Sequence, residues 1–210
     1  MLDESYRNQY VQVTPAGAYY ATLNSAADDA RTLLLQLLSA DIALPYSNAL
    51  ITGITGLSPE PAAELFDRLY RKGFFELFKQ PATIVDEGLE KMLPELLPAL
   101  SSTGRVVLAD DQGFCLGCVG FEEPHAEALS AMTADLIMLY ERHHDLLAQQ
   151  LGVDGESWGL LDPLGQSQLG FWVVHIGSKK FALIIDEAPQ LNQAATVELL
   201  SALARRYIGF

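Results

Sequence analysis

The chain has 210 residues, half of them hydrophobic and 19% charged, which is enough apolar material for one large or two small globular domains and excludes a disordered polymer. Thirteen Lys and Arg against 27 Asp and Glu leave a formal net charge of −14, so nucleic acid and anionic membranes are disfavoured as partners. The polar start lacks the apolar centre of a secretory signal, and no stretch reaches the roughly 18 consecutive apolar residues of a membrane helix. The two cysteines supply no disulfide framework. A cytoplasmic protein without membrane insertion is the expectation.

Residues 1–25 carry the weakest signals, with 10–13 a candidate strand for either half of the chain. Short helices are predicted over 28–40, 47–53 and 59–72. Leu33, Leu34, Leu37 and Leu38 fall at helical spacing behind Asp28 and Asp29, which suit a helix start. Ser58 before Pro59 makes a cap followed by proline, and Gly73 closes that helix. A hairpin is predicted over 74–78 and 83–85, joined through Lys79, Gln80 and Pro81.

Three helices and a hairpin over 26–85 resemble a winged-helix domain. That family lays its third helix in the DNA major groove, and the corresponding segment here is 58–72. In it Glu60, Glu64 and Asp67 balance Arg68, Arg71 and Lys72, whereas a DNA reader carries a basic excess. A packing or protein-contact use of the fold is therefore expected. Arg68, Arg71, Lys72 and Lys79 are the candidate contacts to DNA or to a partner.

The second half has a different rhythm. A helix over 86–102 is predicted to be kinked or shortened by Pro94 and Pro98. Strands over 105–109 and 114–121 flank the turn Asp110-Asp111-Gln112-Gly113. From 125 to 151 there is no Gly or Pro, with Pro124 at the entry and Gly152 at the exit, which predicts one long helix. Its apolar stripe is Leu129, Met132, Leu136, Leu139, Tyr140, His143, Leu147 and Leu151, and Ile137, Met138 and Leu146 widen it, so that more than one side of the helix is expected to be covered. Strands over 157–161, 169–176 and 180–185 follow, then a helix over 190–207. The unbroken apolar runs 171–174 and 181–185 read as central strands covered on both faces.

The order of elements over 86–210 resembles a roadblock/LC7 domain. The resemblance is carried by Val106-Val107-Leu108-Ala109-Asp110-Asp111-Gln112-Gly113, by the long helix from Pro124, and by 181–186 before the last helix. Profilin-like sensor domains such as GAF share a similar sheet and are the competing fold. The expected class is α+β: a segment 1–25, a winged-helix-like domain 26–85, and a roadblock/LC7 (profilin-like) antiparallel sheet flanked by helices over 86–210. The resemblance implies a homodimer built on the long helix and the neighbouring strand, with one sheet continuous across two chains. It also implies association with a small Ras-like GTPase, hence a non-enzymatic adaptor or regulator. Leu129, Met132, Leu136, Leu139, Tyr140, His143 and Leu147 are the candidate dimer contacts. The alternative is a transcription regulator with the winged-helix half on DNA and the second half sensing or dimerising.

Motifs for chemistry are sparse. Cys115-Leu116-Gly117-Cys118 is a CxxC in a predicted strand, where residues three apart point to opposite faces unless a bulge intervenes. Zinc would need further ligands and no second CxxC exists, so two small hydrophobes are expected, with a thiol or metal protein as a third class. Glu141 and His144 make one Glu-x-x-His, without the second that a di-metal helical site requires. His125 and His175 have no acidic or thiol partner at short spacing. Gly165 and Gly170 have Walker A spacing, but Phe171 and Trp172 stand where Lys and Ser or Thr belong. The paired acids 28–29, 110–111, 122–123 and 186–187 suit turns and helix starts. No catalytic residue, metal or cofactor is expected.

Overall fold

The computed structural model describes residues 6, 8–26, 28–84, 87–153 and 155–208. The first half runs β1 (Tyr10–Val13), α1 (Pro15–Thr22), α2 (Asp29–Leu38), β2 (Leu44–Pro45), α3 (Asn48–Thr55), α4 (Pro59–Arg71) and β3 (Phe75–Phe78). The three predicted helices correspond to α2, α3 and α4; side chains cap the first two, whereas Ser58 before α4 makes no side-chain cap hydrogen bond and Pro59 alone opens that helix. Asp28 accepts from the Ala30 amide at 3.0 Å and Ser47 from the Leu50 amide at 3.1 Å. Gly73 ends α4 with φ +69°, a conformation that side chains with a Cβ resist.

The predicted hairpin is not what forms. β3 pairs antiparallel with β1, from Tyr10 opposite Phe78 to Val13 opposite Phe75, and the sheet order is β2-β1-β3. Residues 79–84 continue without strand pairing, while Val85 and Asp86 lie outside the described residues. The physical reason is burial. Val11 and Val13 enter the core, whereas Lys79, Gln80, Pro81, Ala82 and Thr83 are exposed, and Pro81 has no N–H to give to a ladder.

The second half runs α5 (Leu89–Leu96), a 3-10 turn (Leu97–Leu100), β4 (Val106–Asp110), β5 (Cys115–Val119), α6 (Glu123–Arg142), β6 (Trp158–Leu161), β7 (Ser167–Ile176), β8 (Lys179–Asp186) and α7 (Ala194–Ile208). The strands form one antiparallel sheet in the order β5-β4-β8-β7-β6, so the chain is a mixed helix and antiparallel-sheet protein. As the apolar runs required, the central strands are covered on both faces. Val106, Leu108, Leu183 and Ile185 pack with α5 and α7; Val107, Ala109 and Ile184 pack with α6. The α5–α7 core continues into the first half through Leu33, Leu34, Phe66 and Phe75, and both α1 and α2 rest on α7.

The predicted long helix is shorter than its sequence pattern. α6 has 20 residues and stops at His143, whose φ of −111° and ψ of 16° break the ladder before a π-helical turn, Asp145–Gln150. No breaker residue causes this. Tyr140 is the last buried residue, nothing from 141 to 151 is buried, and a helix held mainly by packing loses its register where packing ends. The sheet-facing side overlaps the predicted stripe at Ile137 and Tyr140, with Leu129 and Leu136 half-buried beside it, but is otherwise made of small residues outside it. It is Ala126, Ser130, Thr133, Ile137 and Tyr140, mostly small residues that let the helix lie close. The two hydroxyls are satisfied on their own helix: Ser130 donates to the Ala126 carbonyl at 2.8 Å and Thr133 to the Leu129 carbonyl at 3.2 Å.

Candidate interaction surface

With mostly small residues turned to the sheet beside Ile137 and Tyr140, other large apolar ones fall on the flanks and outside of α6. Met132 and Leu139 are each 38% exposed and Met138 is 52% exposed. Further along the chain Leu146 and Leu151, Leu160 and Leu161 on β6, and Leu164 in the following turn are exposed as well. β6 is an outer strand of the sheet, paired with β7 alone among the described residues. Apolar surface beside an open strand edge is unusual for a soluble monomer.

Of the seven predicted dimer contacts, Met132, Leu139 and His143 are exposed and Leu129, Leu136 and Leu147 are half-buried. Leu129 and Leu136 pack against the Val107, Ala109 and Phe171 cluster. Tyr140 is buried, with its ring edge-on to His144 at 5.6 Å. Met138, Leu160 and Leu161 belong to the exposed surface but not to the predicted set. Period counting centres a stripe on hydrophobicity and does not register that small residues take the sheet side.

A polar clasp fixes the end of α6 against the sheet. Lys180 donates to Glu141 of α6 at 2.9 Å and to Glu156 at 3.0 Å. The other Glu156 oxygen lies 3.1 Å from His175 Nε2, a close contact that is off the line of a hydrogen bond. His175 and Lys180 are cross-strand neighbours on β7 and β8, and Glu156 bridges them from the loop before β6. His175, without an acidic partner at short spacing in the sequence, thus finds one through the tertiary fold.

Burial pushes the Glu156 carboxyl up, but the contacts with His175 and Lys180 outweigh it and hold the group below its ordinary value. A carboxyl lowered on folding adds stability above its unfolded value and loses it as pH falls through the folded one. Urea midpoints are therefore expected to decline below about pH 4.3, the ordinary glutamate range. Glu156→Gln should remove part of that decline; an identical pH profile in the variant would refute the assignment.

Arg68, Arg71, Lys72 and Lys79 are all exposed. Arg71 faces Asp67 one turn back at 3.9 Å, and the Lys72 ammonium sits 5.7 Å from the Phe74 ring centre. Such exposed pairs contribute little. Between β1, β2, α2, residues 78–84 and α7 lies a cavity of about 160 Å³, with an apolar wall of Leu37, Leu44, Phe78, Met92 and Val197. Among the described residues, no three His, Cys, Asp or Glu side chains are grouped to hold a metal ion, and no helix is long and apolar enough to cross a membrane.

No family model matches the chain, and no curated protein matches it. Solved structures similar to it include roadblock/LC7 domains. A Roadblock/LC7 domain from Streptomyces avermitilis is 17% identical, with 58% of this chain and 95% of that one covered and a TM-score of 0.36. Myxococcus xanthus MglB is 15% identical over 58% of this chain and 96% of that one, with a TM-score of 0.39. The gliding protein mglB from Thermus thermophilus is 19% identical over 60% and 96%, with a TM-score of 0.33.

Proposed function

We propose that the chain is a non-enzymatic, homodimeric adaptor or regulator whose second half, 86–210, is a roadblock/LC7-like module and whose partner is a small Ras-like GTPase. What supports the dimer is the set of exposed apolar side chains on α6 and on β6, an outer strand of the sheet. A second copy presenting the same face would cover the methionines and leucines and would pair β6 with β6 in one continuous sheet. The GTPase rests on the resemblance in element order set out above.

Charge at the centre of this face tests the dimer. Leu136 is half-buried against the sheet, so Met138 and Leu139 are the better probes. Sedimentation should give a dimer for the native chain. Met138→Glu with Leu139→Glu should weaken association at least about 30-fold, the equivalent of a 2 kcal/mol hot spot. The far-UV spectrum should not change. A native monomer, or a variant that remains dimeric, would refute the interface. For the partner, capture from lysate at physiological salt is expected to recover a small GTPase whose nucleotide exchange or hydrolysis changes on adding the pure chain; an unchanged rate would end the GTPase reading.

Residues 26–85 are read as a winged-helix-like unit used for protein contact. α4 carries Glu60, Glu64 and Asp67 against Arg68, Arg71 and Lys72, a net of zero where DNA readers are basic. The chain should elute from a DNA column at low salt, and Arg68→Glu with Arg71→Glu should leave its elution unchanged. Salt-dependent retention lost in that variant would favour the transcription-regulator alternative.

A further inference from the structure

We propose that Cys115 and Cys118 form a redox-active dithiol, which closes into a disulfide within β5 by exchange with a small-molecule disulfide. The placement follows from the pairing of β5 with β4. Cys118 lies opposite Val107 and Cys115 opposite Ala109, and the register shifts between these pairs. Val107 and Ala109 both belong to the core under α6, so both cysteines face α6. Leu116 and Gly117 share the intervening step and turn to the other side. Leu116 packs in the core containing α5 and α7, and a Cβ on Gly117 would lie 2.6 Å from Leu93 Cδ1. This bulge removes the alternation that would otherwise separate residues three apart.

The distance suits the bond. Val107 and Ala109 are two residues apart on one strand, about 6.6 Å at the usual rise, and the bulge draws the three-residue step from Cys115 to Cys118 toward that spacing. Disulfides span Cα separations of roughly 4.4–6.8 Å, so a bond across the bulge closes near the upper limit of that range. β5 is an outer strand, Cys118 is exposed, and Cys115 is half-buried; both are free thiols.

Access sets the order of events. Burial and the neighbouring Cys118 push the Cys115 thiol up, so Cys118 reacts first. The Cys118 thiol gives its proton to water and its thiolate attacks one sulfur of the incoming disulfide, whose S–S bond breaks and releases one small thiolate. Deprotonated Cys115 then attacks the Cys118 sulfur and expels the second small thiolate. Two protein thiols are oxidised to one disulfide, and the small disulfide is reduced to two thiols that take up the two protons.

Glutathione disulfide is the probe, with intact mass and peptide mapping after alkylation as the readout. The native chain is expected to lose both alkylatable thiols and yield a Cys115–Cys118 peptide link without retained glutathione. Cys115→Ser should stop at a stable glutathione adduct on Cys118. Cys118→Ser should slow capture of the remaining thiol at least about tenfold. A persistent adduct on the native chain, or a link only between two chains, would overturn the proposal. Equal capture rates for the two single variants would overturn the order of attack.

Discussion

Phe66→Ala is expected to cost about 3–5 kcal/mol of folding free energy, the usual loss for a phenylalanine removed from a packed core. Phe66 is fully buried on the inner side of α4. Its ring meets Tyr46 and Phe75 at 4.5 Å each and Tyr6 at 5.8 Å, so one side chain joins α4 to β3, to the residue after β2, and to the start of the chain. Aromatic pairs of this kind add roughly 0.5–1.5 kcal/mol beyond area burial. The control is Phe78→Ala, at the 41%-exposed end of β3, which should cost under about 1 kcal/mol.

The same variant reports on how the halves are coupled. Both tryptophans, Trp158 and Trp172, lie in the sheet of the second half, far in sequence from Phe66. The core nevertheless runs without a break from Phe66 and Leu34 to Leu199 and Leu203. Urea unfolding of Phe66→Ala should therefore shift the midpoint of tryptophan emission as far as that of the far-UV signal. A shift confined to the far-UV signal would show that residues 26–85 and 86–210 unfold as separate units.

What the sequence makes legible depends on whether the determining interaction is local. α2, α3 and α4 are punctuated by Asp28, Ser47, Pro59 and Gly73, and each of these acts within a few residues. The strands β7 and β8 are equally legible, because a strand buried on both faces must be apolar throughout. The end of α6 is not legible, since it depends on where the sheet beneath it stops. The face of α6 is misread for a related reason: Ser130 and Thr133 enter the core through hydrogen bonds to their own helix, which hydrophobic periodicity does not register. His175 and Glu156 meet only once β6 has paired with β7, and Lys180 joins them from β8. The same holds for the cysteines, because the bulge that turns both to one face is a property of β5 against β4.

Gly17→Ala is the second large effect, and it concerns the segment least readable in the sequence. Gly17 opens α1 hard against the turn between α4 and β3. A Cβ there would sit 1.9 Å from the Phe74 carbonyl oxygen and 2.7 Å from its carbon, both backbone atoms that no rotamer change can move. That carbonyl accepts the Thr14 amide at 3.1 Å, while the Thr14 hydroxyl donates to the Gly73 carbonyl at 2.7 Å and accepts the Gly17 amide at 3.1 Å. One added methyl must therefore part α1 from β3 and strain three hydrogen bonds together. The expected loss is about 3 kcal/mol, the upper end of what overpacking costs. Gly53→Ala is the matched control: it sits exposed within α3, its Cβ would meet nothing within 4 Å, and it should gain about 0.5–1 kcal/mol by helix propensity. Equilibrium urea unfolding of the two variants should thus move in opposite directions. If Gly17→Ala matched the native midpoint, α1 would not be seated on the α4–β3 turn, and the pairing of β1 with β3 that this seat supports would fall with it.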